Sequence, residues 1–231
     1  MVFELDLSNG DYMLYDKDIR DPLFDYFDEY YGKIRIFEEK QIGKSRADAV
    51  MILDGCLVGI EIKSDADTYS RLDRQVADYN KHFDYNYVVV GTKHANHIEE
   101  HVPDWWGIIT VDEVDSTADF YMLRTPKINP RVHWTFLRKR QISFLWRMEL
   151  ANILKKHSMP KYPGKSKKFV QDYLFDNIEE EELKKDITDE LFERDYTTVA
   201  ERIEEYKKTK LKTDIVKVRK VKRRRRKNVH I

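Results

Sequence analysis

The sequence predicts an α/β fold in which a mixed central sheet carries helices on its faces, followed by a helical C-terminal extension. Three observations lead to this class. Residues 16–31 place apolar side chains at helical spacing, and Asp54-Gly55 separates two strand-like segments as a favoured hairpin turn. A second helical stripe, at 68–83, precedes the short apolar run NYVVVG, which is typical of a buried strand. This order of elements is that of an α/β domain.

The individual elements follow from the same patterns. Strands are expected at residues 33–40, 45–55, 56–64, 86–91 and 105–111. Beyond about residue 126 the pattern becomes helical, with segments at 134–157 and 169–208 around a basic loop at 161–168. We therefore expect a core at 1–125, a helical extension at 126–215 and a basic tail at 216–231.

The neutral overall charge hides a strong asymmetry. Residues 1–125 contain 26 Asp and Glu against 13 Lys and Arg, a net of −13, which leaves +13 for residues 126–231. The tail at 216–231 has nine basic residues and no acid, with its densest run at Arg223, Arg224, Arg225 and Arg226. Such a tail is either a disordered, solubilising segment or an arm that binds the phosphates of a nucleic acid.

Composition excludes several classes of protein. Cys56 is the only cysteine, so an intrachain disulfide and a cysteine-rich zinc site are excluded. No apolar run approaches the roughly 20 residues of a membrane span. The first residues lack a signal-like pattern, so a cytoplasmic location is expected. The sequence contains no glycine-rich phosphate loop, so it gives no indication that the protein uses ATP.

The hairpin places two acids on one face. If the strands turn symmetrically about Asp54-Gly55, Asp48 lies directly opposite Glu61, with the two Cβ atoms about 5 Å apart. Two carboxylates in that arrangement repel each other, whereas a divalent cation between them reverses the sign of the interaction. Hard oxygen ligands of this kind suit Mg²⁺ or Mn²⁺. The sequence therefore predicts a metal site here.

Further residues share this face. Lys63 follows Glu61 by two positions, and its ammonium could orient a metal-bound water or offset charge on a phosphate. Arg46 precedes Asp48 and could bind a phosphate. Gly59 is expected to leave space open beside the metal. The alternative is a surface hairpin that carries an ordinary Glu–Lys pair.

These motifs resemble a known family. RAD at 46–48, GIEIK at 59–63 and the helix with Gln75-x-x-x-Tyr79 resemble the PD-(D/E)XK nuclease superfamily, and more closely a bacterial and phage branch of small members. The resemblance covers roughly residues 16–160 and implies a restriction-endonuclease-like core.

The resemblance also implies a role for each matching residue. Asp48 and Glu61 would be the metal-binding acids, Lys63 the lysine of the motif, and the Ile62 carbonyl a further metal ligand. Ala47 stands where the superfamily's name has proline. The signature residues Gln75 and Tyr79 would support the site or contact DNA.

An upstream acid often completes the site in this superfamily. Glu39 is the first candidate and Glu38 the second, because neighbouring strand residues face opposite ways and only one can point inward. The helix acids Asp18, Asp21 and Asp25 are weaker alternatives. Asp65 and Asp67 follow the lysine and are expected to cap the next helix rather than border the metal.

One competing motif is HIEEH at 97–101, the inverted pattern of some zinc proteases. His97 and His101 would lie one helical turn apart, and His94 extends the pattern. A third ligand is not evident and the segment is short, so a solvated connecting helix is the preferred interpretation.

The sequence thus favours a Mg²⁺- or Mn²⁺-dependent DNA nuclease. The alternative is a catalytically inactive module, built on a nuclease scaffold, that binds nucleic acid or protein. The sequence does not separate DNA from RNA as the substrate, nor endonuclease from exonuclease action. A homodimer is compatible with this interpretation, since cutting both strands of a duplex takes two sites.

Overall fold

The computed structural model describes residues 14–114, 117–130 and 133–196. The described residues up to Phe192 belong to one compact unit. A second unit begins at Glu193, and only its residues 193–196 are described.

A six-stranded mixed sheet forms the centre of the first unit. Its strands are β1 (Arg35–Ile42), β2 (Ser45–Leu53), β3 (Cys56–Lys63), β4 (Tyr85–Gly91), β5 (Gly107–Val114) and β6 (Thr117–Arg124), and they lie side by side in chain order. β2 is antiparallel to both of its neighbours, β1 and β3, while β3, β4 and β5 are parallel, and β6 is antiparallel to β5. The expected mixed sheet is confirmed.

Helices cover both faces of this sheet. They are α1 (Asp16–Tyr31), α2 (Leu72–His82), α3 (Thr92–Ala95), α4 (Trp134–Gln141), α5 (Arg147–Lys156), α6 (Lys167–Asn177) and α7 (Glu180–Phe192). Helix α1 buries Ile19, Leu23 and Phe27 on one face, in one apolar cluster with residues of the inner strands. Helix α2 packs on the other face, where its buried apolar residues share a second cluster with those of α5 to α7. The expected α/β class with a C-terminal helical extension is confirmed.

The β2–β3 hairpin has the register that its turn predicts. Leu53 pairs with Cys56 across Asp54-Gly55, and the ladder continues to Ala49, which pairs with Ile60. Gly55 has a φ of 69°, a left-handed conformation that favours glycine. The register therefore places Asp48 and Glu61 at the next position, immediately beyond the last pair of the ladder.

The expected single helix over 134–157 is wrong. Helix α4 ends at Gln141, a 3₁₀ turn follows at Ile142–Phe144, and Leu145 is extended before α5 begins. The Glu149 carboxylate accepts a hydrogen bond of 2.5 Å from the Trp146 amide and so satisfies a free N–H at the new helix start. Neither glycine nor proline marks this break in the sequence. Two short helices that both bury apolar side chains replace one straight helix.

Strand β6 has no counterpart among the sequence expectations. Ala118, Phe120 and Met122 alternate along it and pack against the cluster under α1. That period of two was a usable strand signal. The expected domain boundaries, after residues 125 and 215, stay predictions.

Candidate active site

Asp48, Glu61 and Lys63 lie on the face of the sheet that α2 covers. Odd-numbered residues of β3 point to this face, since Leu57 is buried in the cluster shared with α2 and Gln75 of α2 makes hydrogen bonds with both Glu61 and Lys63. Asp48 lines the same cleft as these two residues. Glu61 is fully buried, Lys63 is 4% exposed, and Asp48 is half-buried. The hairpin thus brings the three predicted side chains together.

Gly59 allows α2 to approach β3 closely. A Cβ atom at this position would lie 2.3 Å from the Phe83 ring and 2.6 Å from the Tyr79 ring. The expectation that Gly59 leaves open space beside a metal is therefore wrong, because two aromatic rings fill that space. The glycine instead lets the helix that carries Gln75 lie against the carboxylates.

Glu61 has one oxygen with partners and one without. Its Oε1 accepts hydrogen bonds from Lys63 Nζ at 2.6 Å and from the Gln75 side-chain amide, while Gln75 Oε1 accepts from Lys63 Nζ at 3.2 Å. Its Oε2 is buried and receives no donor from the described residues. Leaving a buried acceptor unsatisfied costs about 1–3 kcal/mol. A cation or a proton at this oxygen would satisfy it.

Asp48 carries the second carboxylate of the site. Its Oδ2 accepts a hydrogen bond of 2.9 Å from the Ile62 amide, and its Oδ1 lies 3.9 Å from Arg20 Nη2. Burial and the Glu61 charge raise the pKa of Asp48 to about 7, although the Ile62 amide, Lys63 and Arg20 act in the opposite direction. Two carboxylates thus share one largely buried site, where ionising both is costly.

The Tyr79 hydroxyl connects β2 and β3 just beyond the last residue pair of their ladder. Its hydroxyl donates to the Ile60 carbonyl at 2.9 Å and accepts from the Asp48 amide at 3.1 Å. Burial, together with the Glu61 and Asp48 charges, raises the pKa of the Tyr79 phenol, which stays protonated at neutral pH. Because Tyr79 is fully buried, it is placed to support the site and not to contact a substrate.

The two upstream acids do not follow the simple alternation of a strand. Glu39 has a φ of 53°, so the argument that only one of the two acids faces inward does not hold. The Glu39 carboxylate lies 3.0 Å from Arg46 Nη1, and the Glu38 carboxylate lies 3.2 Å from Arg20 Nη1. Both acids are exposed. A role of either acid in metal binding stays a prediction.

Sequence reasoning missed Arg20 and Asp16 on α1. Arg20 Nε lies 2.6 Å from Asp16 Oδ2, and Nη1 donates to the Asp48 carbonyl at 3.2 Å. Their spacing of four residues on a helix was the available signal for this pair. Of the expected helix acids, Asp18 accepts a hydrogen bond from the Tyr15 amide at the start of α1.

A half-open cleft of about 570 Å³ surrounds these groups. Its lining includes Asp48, Glu61, Ile62, Lys63, Gln75, Glu39, Arg46, Asp16, Arg20, Gln41, Lys44, Ser45, Asp67, Arg71 and Arg74. Of the described residues predicted for the site from the sequence, the buried Tyr79 and the second candidate acid, Glu38, are not among the lining residues of this cleft, and the other predicted catalytic, metal-binding and phosphate-binding residues are. The four arginines at 223–226 lie outside the described residues.

Asp65 and Asp67 do not cap the helix that follows them. The Tyr69–Arg71 turn and α2 both begin without a side-chain cap. Asp65 accepts a hydrogen bond from the Lys93 amide in α3, and Asp67 accepts from the amide and hydroxyl of Ser64. The expected capping role is therefore wrong, and Asp67 borders the cleft instead.

The HIEEH segment does not form a continuous helix. Helix α3 ends at Ala95 and a separate 3₁₀ turn covers Ile98–Glu100. The His94 and His101 rings contact the Tyr69 ring, with centroids 4.7 and 4.0 Å away. Across the described ranges, no three His, Cys, Asp or Glu side chains form a metal-binding group.

Two further observations concern the Cys56 thiol and the possibility of a membrane-spanning helix. Burial raises the pKa of the Cys56 thiol to about 11, so it is protonated at neutral pH and is no nucleophile. In the part of the chain that the structure describes, none of the helices has the length and apolar character that crossing a bilayer takes. The expected cytoplasmic location stays a prediction.

The family model described as bacteriophage P4 protein cII matches residues 19–228. The chain belongs to this family. The matched range includes β2, β3 and α2, and therefore Asp48, Glu61 and Lys63 at the centre of the cleft.

Other comparisons add little. No curated protein matches the chain significantly. Among solved structures, SfsA of Pyrococcus furiosus in complex with Ca²⁺ is similar with 12% identity and a TM-score of 0.29, over 45% of this chain. The chain matches only 59% of the length of SfsA, and a TM-score this low does not establish a shared fold.

Proposed function

We propose that this protein is a divalent-metal-dependent nuclease that hydrolyses phosphodiester bonds in DNA. The observation that supports this most is the state of Glu61. Its Oε2 is buried without a donor from the described residues, and it belongs to a site where Asp48, with a pKa raised to about 7, adds a second negative charge. A bound cation would satisfy both features at once.

The donor set suits a hard cation. Asp48 and Glu61 would hold Mg²⁺ or Mn²⁺ through carboxylate oxygens, and the Ile62 carbonyl could add a third oxygen ligand. Mg²⁺ in proteins commonly uses one or two carboxylates and keeps several waters, so two acids are sufficient. When bound, such an ion polarises a phosphoryl oxygen and lowers the pKa of its bound water.

Lys63 would act on the reacting groups. Its ammonium is held by Glu61 Oε1 and Gln75 Oε1, and the latter contact is 3.2 Å long. From this position it can orient the attacking water and offset the charge that develops on the phosphate. Gln75 fixes both side chains, since its amide nitrogen donates to Glu61 while its oxygen accepts from Lys63.

The local fold is also the reason to place the chain in the PD-(D/E)XK superfamily, which is part of this proposal. A hairpin carries Asp48, Glu61 and Lys63, and the next helix carries Gln75 and Tyr79 against it. Tyr79 is a positioning residue, because its hydroxyl joins the backbones of β2 and β3 at the point where the hydrogen-bonded pairing of the two strands ends.

The test is cleavage of linear, nicked, branched and single-stranded DNA by the purified full chain with Mg²⁺ or Mn²⁺. We expect Glu61→Gln and Lys63→Met to reduce the rate on the order of 10²-fold or more. Glu29→Gln and Lys155→Met, at exposed positions outside the cleft, are the matched controls and should cleave normally.

The outcomes are distinct. Cleavage that survives both Glu61→Gln and Lys63→Met would remove the proposal. Binding of DNA without cleavage under any metal condition would favour the inactive binding module instead. Cleavage of RNA alone would correct the substrate. The homodimer stays a prediction, for which sedimentation of the full chain with and without DNA is the measurement.

A further inference from the structure

Ion pairing within the cleft leaves three cations over. Each acid that lines the cleft has a partner: Asp16 has Arg20, Glu39 has Arg46, Glu61 has Lys63, Asp48 has the Ile62 amide, and Asp67 has Ser64. Lys44, Arg71 and Arg74 line the same cleft, are exposed, and make no side-chain ion pair or hydrogen bond with any described residue. These three side chains are therefore free to bind an anion.

The three cations lie on two elements that are fixed to each other. Lys44 is in the β1–β2 turn, while Arg71 and Arg74 are three residues apart at the start of α2. Asp78, one helical turn beyond Arg74, accepts hydrogen bonds from the Lys44 amide at 3.2 Å and from the Ser45 hydroxyl at 2.8 Å. This contact holds the turn beside the helix, and all three cations line the same cleft.

The described lining of the cleft contains no aromatic ring on which a base could stack. Ile62 is the only apolar residue among its described lining residues, and no aromatic ring is among them. Sites that bind small organic ligands are mostly apolar, and sites that bind single bases use aromatic rings. A row of cations without rings suits a chain of phosphates.

We infer that Lys44, Arg71 and Arg74 form a strip that binds the sugar–phosphate backbone of a DNA strand beside the carboxylates, independently of base sequence. This inference rests on the proposed nuclease function and deepens it by naming how the substrate is held. The substrate is a polynucleotide that continues past the reacting phosphate. A mononucleotide leaves most of the strip unused.

The test measures binding without cleavage, by fluorescence anisotropy of labelled DNA oligonucleotides of two unrelated sequences in the presence of EDTA. We expect the triple variant Lys44→Ala, Arg71→Ala, Arg74→Ala to bind both oligonucleotides about tenfold or more weakly. The slope of log affinity against log salt should become shallower by about 2, since each phosphate contact contributes about 0.7 on a single strand.

Two controls separate this strip from general charge. The triple variant Arg140→Ala, Lys155→Ala, Lys161→Ala removes the same charge from exposed residues outside the cleft and should bind like wild type. The charge-preserving variant Lys44→Arg, Arg71→Lys, Arg74→Lys should recover most of the binding. All three positions are exposed, and an unchanged circular dichroism spectrum and melting temperature would show that the variants fold.

Several results would overturn the inference: no binding by wild type, equal binding by wild type and the cleft triple, equal loss in both alanine triples, or strong preference for one base sequence. Displacement of the oligonucleotide by a deoxynucleoside monophosphate at equal phosphate concentration would also overturn it. Cleavage by wild type together with normal binding by the cleft triple leaves the nuclease proposal standing without this strip. Selective loss of binding in a protein that cleaves nothing removes the nuclease proposal and keeps the strip.

Discussion

Two buried carboxylates, Asp84 and Glu61, have opposite surroundings. Asp84 Oδ1 lies 2.7 Å from Arg138 Nη2, and Oδ2 accepts from the Leu57 amide and the Gln141 side chain, both at 2.9 Å. Every oxygen of Asp84 is thus satisfied, and its charge is matched by one arginine. Glu61 has one satisfied oxygen and one that is not.

The difference separates a structural acid from one that is suited to chemistry. The Asp84 group joins β3 and α4 by side chains that neutralise each other, so it connects the helical extension to the sheet. Around Glu61, a second carboxylate from Asp48 competes for the same lysine. The charges of Asp84 and Arg138 are matched without a ligand, although Arg138 Nε has no partner among the described residues. Two carboxylates that share one buried site are stabilised when a cation binds. Asp84→Asn and Asp48→Asn, the second at the carboxylate beside Glu61, turn this comparison into a measurement.

The largest expected effect is at Asp84. Asp84→Asn leaves Arg138 buried at 4% exposure without its anion, and breaking a buried pair from one side costs about 3–5 kcal/mol. The free energy of unfolding in urea should fall by about 3 kcal/mol at pH 8. A change below about 1 kcal/mol would contradict the view of Asp84 as a structural acid.

The same substitution at Asp48 should raise the free energy of unfolding instead of lowering it. In metal-free protein at pH 8, Asp48→Asn removes the charge that burial and Glu61 disfavour, while an Asn oxygen can still accept from the Ile62 amide. We expect the free energy of unfolding to rise by about 1–3 kcal/mol in EDTA. Destabilisation at pH 8 would show that the site is balanced without a cation.

The stability gained by Asp48→Asn should depend on pH, because the pKa of Asp48 is raised in the folded protein. Between the pKa of Asp48 in the unfolded chain, near 4, and its folded-state value of about 7, the folded state binds the proton more tightly, so this carboxyl lowers stability as pH rises. The advantage of Asp48→Asn should therefore grow from pH 4 to pH 7 and then level off. Urea unfolding at several pH values in EDTA measures it.

A smaller effect is expected from metal. Mg²⁺ at ten times its Kd should add about 1.4 kcal/mol to wild-type stability, because a ligand that binds only the folded state stabilises it by mass action. Asp48→Asn and Glu61→Gln should lose most of this shift in melting temperature, and Asp84→Asn should keep it. An equal shift in all four proteins would place the cation elsewhere.

The smallest effect concerns the upstream acids. The Glu39–Arg46 pair is more than half exposed on both sides, so Glu39→Gln should change stability by less than about 1 kcal/mol. Its effect on cleavage and on the Mg²⁺ shift, compared with that of Glu38→Gln, decides which acid supports the site. If neither variant affects either quantity, two acids are sufficient.

Much of the site could be predicted from the sequence because its geometry is local. The Asp54-Gly55 turn fixes the hairpin register, and a register with a period of two then puts Asp48, Glu61 and Lys63 on one face. The α2 stripe, with its apolar side chains at helical spacing, likewise predicts that Gln75 and Tyr79 belong to one helix. None of these inferences needs a contact between distant segments.

Other features were decided by the tertiary structure alone. Whether Glu61 Oε2 has a donor, how close α2 lies to Gly59 and which cations remain unpaired depend on packing between segments far apart in the chain. Arg20 reaches the site from α1 only because that helix lies across the sheet beside β2. The sequence determined which side chains face the cleft, since alternation and turn chemistry are short-range. Packing decided their partners, and those partners distinguish Glu61 from Asp84.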